Sequence, residues 1–250
     1  MTKPETFEQY LQLKDIEIVE NIDVNIDKDD LDEKLILKHL ETMSEFHKKT
    51  MGSTEFLKNR LDSSIGRIVE QYKVNLKKVN RDLNRLKNEG VNNSFENILF
   101  QKGEEFIQRG EKAVDNIYKN GYYDLIKRSM KNREICLGAV DFNNLTKEDK
   151  LKVKYIKKCS HNMVEVDCFN FLYKYKKRGL NLDFNELSLM FCNFEDLDIR
   201  SHKFIISLLC FPYEFTRQCN KYRVRKKDLT DEEYALKLQK AIVQDSLCLI

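Results

Sequence analysis

Residues 134–160 read EICLGAVDFNNLTKEDKLKVKYIKKCS, and they behave differently from the sequence on either side. Ile135, Cys136 and Leu137 form a short apolar run that stops at Gly138. Asp141-Phe142-Asn143-Asn144 then has the composition of a loop, and Thr146 to Lys150 that of a charged turn. Val153, Tyr155 and Ile156 read as a second short strand. A strand, a loop and a strand inside an otherwise helical chain is where a site is expected, because loops held on a rigid scaffold carry function disproportionately.

The helical character of the surroundings follows from punctuation and spacing. Only 2 prolines and 8 glycines interrupt 250 residues, which leaves long segments free to form helices. Upstream, Phe95 to Lys119, ending near Gly121, and Tyr122 to Lys131 read as helices. Ile65, Val69, Tyr72, Leu76, Val79, Leu83 and Leu86 step by four and three without a slip, with Lys and Arg on the outer faces. That stripe predicts a long helix that packs within its own domain or pairs with a second copy, the first being the preferred reading. Ile36, Leu40, Met43 and His47 place another helix over Leu31 to Met51, closed by Gly52.

The N-terminal end has a short helix candidate, Phe7 to Leu13, and an alternation, Ile22, Val24 and Ile26, that predicts a brief strand or extended arm. Asp23, Asn25, Asp27 and Asp29 occupy the first four odd positions of a calcium loop. Lys28 stands where the turn needs glycine, and Lys34 where the metal needs a bidentate carboxylate, so a solvated acidic segment over 23–33 is expected instead. Downstream, Val166 to Tyr175, Phe184 to Phe194, His202 to Tyr222 and Asp231 to Leu247 carry helical spacing, with Thr230 capping the acidic start of the last.

Composition narrows the function classes. Lys+Arg 44 against Asp+Glu 41 gives a net charge of +3, which supplies no argument for nucleic acid. The 11 tyrosines and 15 phenylalanines fall mostly at core spacing, without a basic stripe beside them. Met1 to Glu5 lacks the apolar core of a signal peptide, and no stretch is apolar for long enough to span a bilayer, so a soluble cytoplasmic protein is expected. The 7 cysteines include no CxxC pair and read as reduced, mostly buried thiols. Cys159, His161 and Cys168 lack a fourth ligand and match no zinc spacing.

Three landmarks in order carry a resemblance to a known family. Lys38 to Lys48, KHLETMSEFHK, is similar to a helix written LAxFH; Glu111 to Leu125, EKAVDNIYKNGYYDL, resembles the helix before a catalytic loop. Leu208 to Phe215, LLCFPYEF, with Tyr222 beyond it, looks like an LLxFPxxFW…NRYY helix. Together they resemble the spore-coat kinase-like family of the CotS type, relatives of the aminoglycoside and choline phosphotransferases, from about residue 35 to the end. The resemblance implies a mainly α (α+β) fold, the helical C-lobe of a protein-kinase-like, aminoglycoside-phosphotransferase-like fold with a short β element. Residues 1–34 would be an N-terminal arm or vestigial N-lobe, and 35–250 the kinase-like lobe.

In active relatives the loop reads H-G-D-x-x-x-x-N, where the Asp accepts the proton of the attacking hydroxyl and the Asn holds magnesium. The matching residues are Leu137, Gly138, Ala139 and Asn144, with Asp141 two places past the base position. Alanine accepts no proton. The I-D-F-D strand of the family falls on Tyr155 and Lys157 when Cys159-Ser160 is set on its Cys-Ser pair, and Asp167 fills the later structural position. Tyrosine and lysine do not assemble a site of hard anionic oxygens. The stretch before Leu35 contains no glycine, hence no Gly-rich cover for phosphates.

The resemblance therefore implies a kinase-like protein without catalytic residues, metal or cofactor. It would act by binding other proteins of the spore coat, from the mother-cell cytoplasm or on the coat itself, with neither nucleic acid nor membrane as partner. Two other readings stand beside it: a divergent phosphotransferase built on Asp141, Asn144 and Asp167, and a helical coiled-coil adaptor pairing through Ile65 to Leu86.

Overall fold

Stripes of apolar residues at steps of three and four build most of the molecule, and in the computed structural model they bury each other. The structure describes residues 4–24, 31–52, 54, 57–225 and 228–249. Helix α1 (Phe7–Leu13) starts in a capping box between Thr6 and Gln9, and α2 (Glu33–Thr50) starts where the Asp32 carboxylate accepts the Leu35 N–H at 2.7 Å. Helices α3 (Arg67–Glu89) and α4 (Ser94–Lys119) form the longest pair. The α3 stripe, Val69, Tyr72, Leu76, Val79, Leu83 and Leu86, is buried within the chain, largely against α4. Gly110 permits the approach: a Cβ there would lie 2.5 Å from Leu76 Cδ2.

After α5 (Tyr122–Asn132) come the strands β2 (Ile135–Cys136), β3 (Leu145–Lys147), β4 (Leu151–Val153) and β5 (Ser160–His161). They join β1 (Ile16–Ile18) in two small sheets. In one, β4 lies between β1, parallel, and β3, antiparallel, with Ile16 opposite Leu151 and Leu145 opposite Val153. In the other, β2 and β5 pair antiparallel, with Ile135 opposite His161. The loop 137–144 connects the two sheets. It is thus clamped at both ends.

The remaining helices are α6 (Glu165–Lys177), α7 (Phe184–Phe194), α8 (Ile199–Cys210), α9 (Tyr213–Arg223) and α10 (Asp231–Gln244). One continuous core gathers α1, β1, α2 and the strands with α6, α7 and α8; a second, smaller one lies between the far halves of α3 and α4 and helices α9 and α10. The N-terminal residues are part of the main core: Phe7, Tyr10, Leu11 and Ile16 are buried, and Tyr10 Oη donates to the Thr50 carbonyl at 2.8 Å.

Three expectations need correction. The alternation at Ile22 and Val24 forms no strand; the edge of β4 that could take one is already occupied by β1, and Ile26, like Asn25, Asp27 and Asp29, lies outside the described residues. The expected strand through Val153, Tyr155 and Ile156 ends at Val153, because the Tyr155 N–H is taken by a side chain rather than a ladder partner. The helix expected from His202 to Tyr222 is two helices. Pro212 has no N–H to continue α8 and becomes the entry to α9. Among the described residues no helix is long and apolar enough to cross a membrane.

Candidate functional site

The loop 137–144 is held from beneath by one carboxylate. Asp167, in the first turn of α6 and fully buried, accepts the backbone N–H of Leu137 at 2.7 Å and of Gly138 at 3.0 Å. His47, from α2, bridges Asp167 (Nε2, 3.1 Å) and Glu195 just past α7 (Nδ1, 2.6 Å). Burial disfavours the imidazolium, but the charge of Glu195 and the bonds to both carboxylates outweigh it and raise the His47 pKa to about 10. His47 is therefore a buried cation donating from both nitrogens.

A second histidine does the opposite. His39, one turn-pair earlier on α2, donates Nε2–H to the Val140 carbonyl at 2.8 Å, with its ring against Phe142 and Phe171. Burial without a buried carboxylate partner lowers its pKa to about 4. It is neutral at physiological pH and acts as a fixed peg for the loop.

The loop backbone itself is constrained. Gly138 has φ +74°, and a Cβ there would sit 2.7 Å from the Lys158 carbonyl, so glycine is required both by conformation and by the close approach of residues 156–159. Asn144 ties the two halves of the loop region together: its amide donates to the carbonyls of Ala139 (2.6 Å) and Tyr155 (3.0 Å), and its oxygen accepts the Tyr155 N–H (2.7 Å). All the polar atoms of that side chain are engaged within the protein.

Between these anchors the chemistry-bearing positions are bare. Ala139 offers no acid or base, Leu137 is fully buried in the core, and Tyr155 stands half-exposed on the opposite strand end. Asp141, the one carboxylate on the loop, is held by Lys174 of α6 at 2.5 Å, and Lys157 is exposed to solvent. Asp167 is engaged by the two N–H groups and His47. The Asn144 side chain thus joins the backbones of Ala139 and Tyr155, and Asp141 pairs with Lys174.

The cysteine and histidine residues near the loop fill structural places. His161 bridges Thr54 Oγ1 (2.9 Å) and the Glu134 carbonyl (3.2 Å), and the Cys159 thiol faces the Leu137 carbonyl, its pKa pushed up by burial. Among the described residues one group, His47, Cys136 and Asp167, has ligand atoms within 4.8 Å of each other. It does not suit a metal: both His47 nitrogens donate, burial holds the Cys136 thiol protonated, and Asp167 is occupied by backbone N–H groups.

Sequence reading missed a second buried ion network beside the loop. Arg128 of α5 donates to Glu134 and Glu165 at 2.8 Å each and to Ser201 at 2.9 Å, both carboxylates being almost fully buried. Its members are separated by up to 73 residues, so no local pattern marks them.

No protein-family model and no curated protein matches the chain. Among solved structures, it is similar to the crystal structure of an aminoglycoside phosphotransferase from Alicyclobacillus acidocaldarius subsp. acidocaldarius DSM 446, with a TM-score of 0.65 and 13% sequence identity. The match covers 84% of this chain and 62% of that one. At that identity the likeness shows the fold alone, and the fold is the mostly helical, kinase-like one of the aminoglycoside phosphotransferases.

Proposed function

We propose that this chain is a kinase-like protein without phosphotransferase activity, acting by binding other proteins. The observation that carries the reading is Asn144. In a working loop of this type the asparagine presents its oxygen to a metal. Here that oxygen accepts the Tyr155 N–H at 2.7 Å, and the amide nitrogen is taken by two carbonyls, so the residue fastens the loop instead of serving an ion. With Ala139 at the base position and Tyr155 at the metal position, neither proton acceptance nor magnesium binding has a side chain to perform it.

The sequence resemblance to spore-coat kinase-like proteins supports partners within the spore coat and deposition there. The phosphotransferase fold favours the competing reading, a divergent transferase built on Asp141, Asn144 and Asp167. Against it stand the commitments of all three side chains: Asp141 to Lys174, Asn144 to the loop, and Asp167 to two N–H groups and His47. The same proposal takes residues 1–34, whose Phe7, Tyr10, Leu11 and Ile16 pack into the main core, as an N-terminal arm or vestigial N-lobe and 35–250 as the kinase-like helical C-lobe.

The test is a calorimetric titration with adenosine triphosphate, run with and without magnesium, and repeated as a γ-phosphate release assay. The reading predicts no magnesium-dependent heat and no release. Micromolar binding that requires magnesium would overturn it. Heat that is weaker with magnesium than without it reports attraction of the bare triphosphate as an anion, because magnesium neutralises two of its charges, and leaves the reading intact.

A further inference from the structure

Away from the loop, α6, α9 and α10 enclose a basin of about 340 Å³. Five cationic side chains line it, Lys177 at the end of α6, Arg217 and Lys221 of α9, and Lys237 and Lys240 of α10, and no carboxylate does. The whole chain carries only +3, so this is a local concentration of charge. A larger groove shares Lys177, Arg217 and Lys240 and runs on to Lys174.

A solvated helical face accounts for many lysine runs, but such faces carry their counter-charges one turn away, as Lys73 with Glu70 and Lys102 with Glu105 do here. Lys237 and Lys240 are exposed and have no carboxylate at ion-pair distance among the described residues. Lys177 and Arg217 are positioned differently: both bind Glu214, which is buried, so their heads are fixed at the rim. The basin is therefore partly preorganised for an anion.

An independent feature refines the ligand. Gln218 lines the same basin, is 7% exposed, and its Oε1 has no hydrogen-bond donor among the described residues. A buried acceptor without a partner is costly, and the fully ionised phosphate of a monoester brings no donor to satisfy it. A hydroxyl does. The volume suits a small molecule, and Tyr234, 1% exposed, offers no free face for stacking a nucleobase. We propose that the basin between α6, α9 and α10 binds a compact phosphorylated polyol, its phosphates on the lysines and Arg217 and a free hydroxyl on Gln218.

The experiment is a calorimetric titration of the full chain with fructose 1,6-bisphosphate, with sodium sulfate and poly-L-glutamate as competing anions at constant ionic strength. The bisphosphate should bind at least about tenfold more tightly than either comparator, and a K237A/K240A double variant should lose at least about tenfold in affinity. Both lysines are exposed, so the variant should melt at the parental temperature. Gln218→Leu should weaken the bisphosphate while leaving the weak sulfate binding unchanged. Absence of bisphosphate binding, equal affinity for polyglutamate or sulfate, or a double variant that binds as well as the parent would each overturn the assignment.

Discussion

The loop 137–144 and the basin between α6, α9 and α10 carry polar groups in opposite conditions. In the loop every anchor is answered from within the protein: Asp167 by two N–H groups and His47, Asn144 by Ala139 and Tyr155, Asp141 by Lys174. In the basin two lysines and a buried amide oxygen have nothing to answer them among the described residues. On the proposed reading the loop is a kinase-type catalytic element whose groups hold the fold. The basin has no catalytic outline, yet among the described residues Lys237, Lys240 and the Gln218 oxygen are uncommitted. Binding capacity follows from which atoms are left unsatisfied rather than from which segment resembles an active site.

If the loop anchors are structural, breaking them should cost stability, and the largest loss should follow Asp167→Ala. That variant leaves His47 and two buried N–H groups without their acceptor, and about 3–5 kcal/mol of unfolding free energy should disappear in urea denaturation. A loss under about 1 kcal/mol would mean the anchor is dispensable.

The two histidines should separate by pH. His47, raised from 6.5 to about 10, contributes stability that is complete below pH 6.5 and is lost as the pH climbs towards 10. His39, lowered to about 4, favours the folded state in its neutral form, so its contribution is complete above pH 6.5 and is lost as the pH falls towards 4. Each change should amount to a few kcal/mol. Carbon-detected NMR of labelled histidine should find His47 still charged at pH 9 and His39 still neutral at pH 5; coincident titrations near 6.5 would break the account.

Gly138→Ala should come next, at about 1–3 kcal/mol, because it adds strain at positive φ and a contact with the Lys158 carbonyl. Asn144→Ala, which removes a buried side chain that clasps the loop through three hydrogen bonds, should cost about 1–2 kcal/mol and should leave fructose 1,6-bisphosphate binding unchanged. A fall in that affinity would couple the two regions that are separate here.

Much of the helical framework is legible in the sequence because long stripes such as Val69 to Leu86 have a single physical reading. The short strands are not. β2 and β5 are two residues each, too brief for any alternation to appear, and β1 lies at Ile16–Ile18, where it pairs with a strand more than a hundred residues away. Pro212 marks the α8–α9 break in plain view, and apolar spacing that continues across it hides the break. The nearness of Ala139, Asn144 and Tyr155 along the loop region follows from the order of residues that the resemblance fixes, and their roles belong to the proposed function. The Asp167–His47–Glu195 bridge and the Arg128 network were not, since their members meet only through tertiary packing. The basin was invisible for the same reason: Lys177, Arg217 and Lys237 come from three helices.

The central claim, that the loop is committed to the fold and takes no nucleotide, is tested most directly by amide NMR of the deuterated chain titrated with magnesium and adenosine triphosphate. The account predicts unmoved signals for Gly138, Asp141, Asn144 and Tyr155 at saturating nucleotide, with any shifts confined to residues of α9 and α10 and no larger with magnesium than without it. Magnesium-dependent shifts at Asp141, Asn144 and Tyr155 would contradict it.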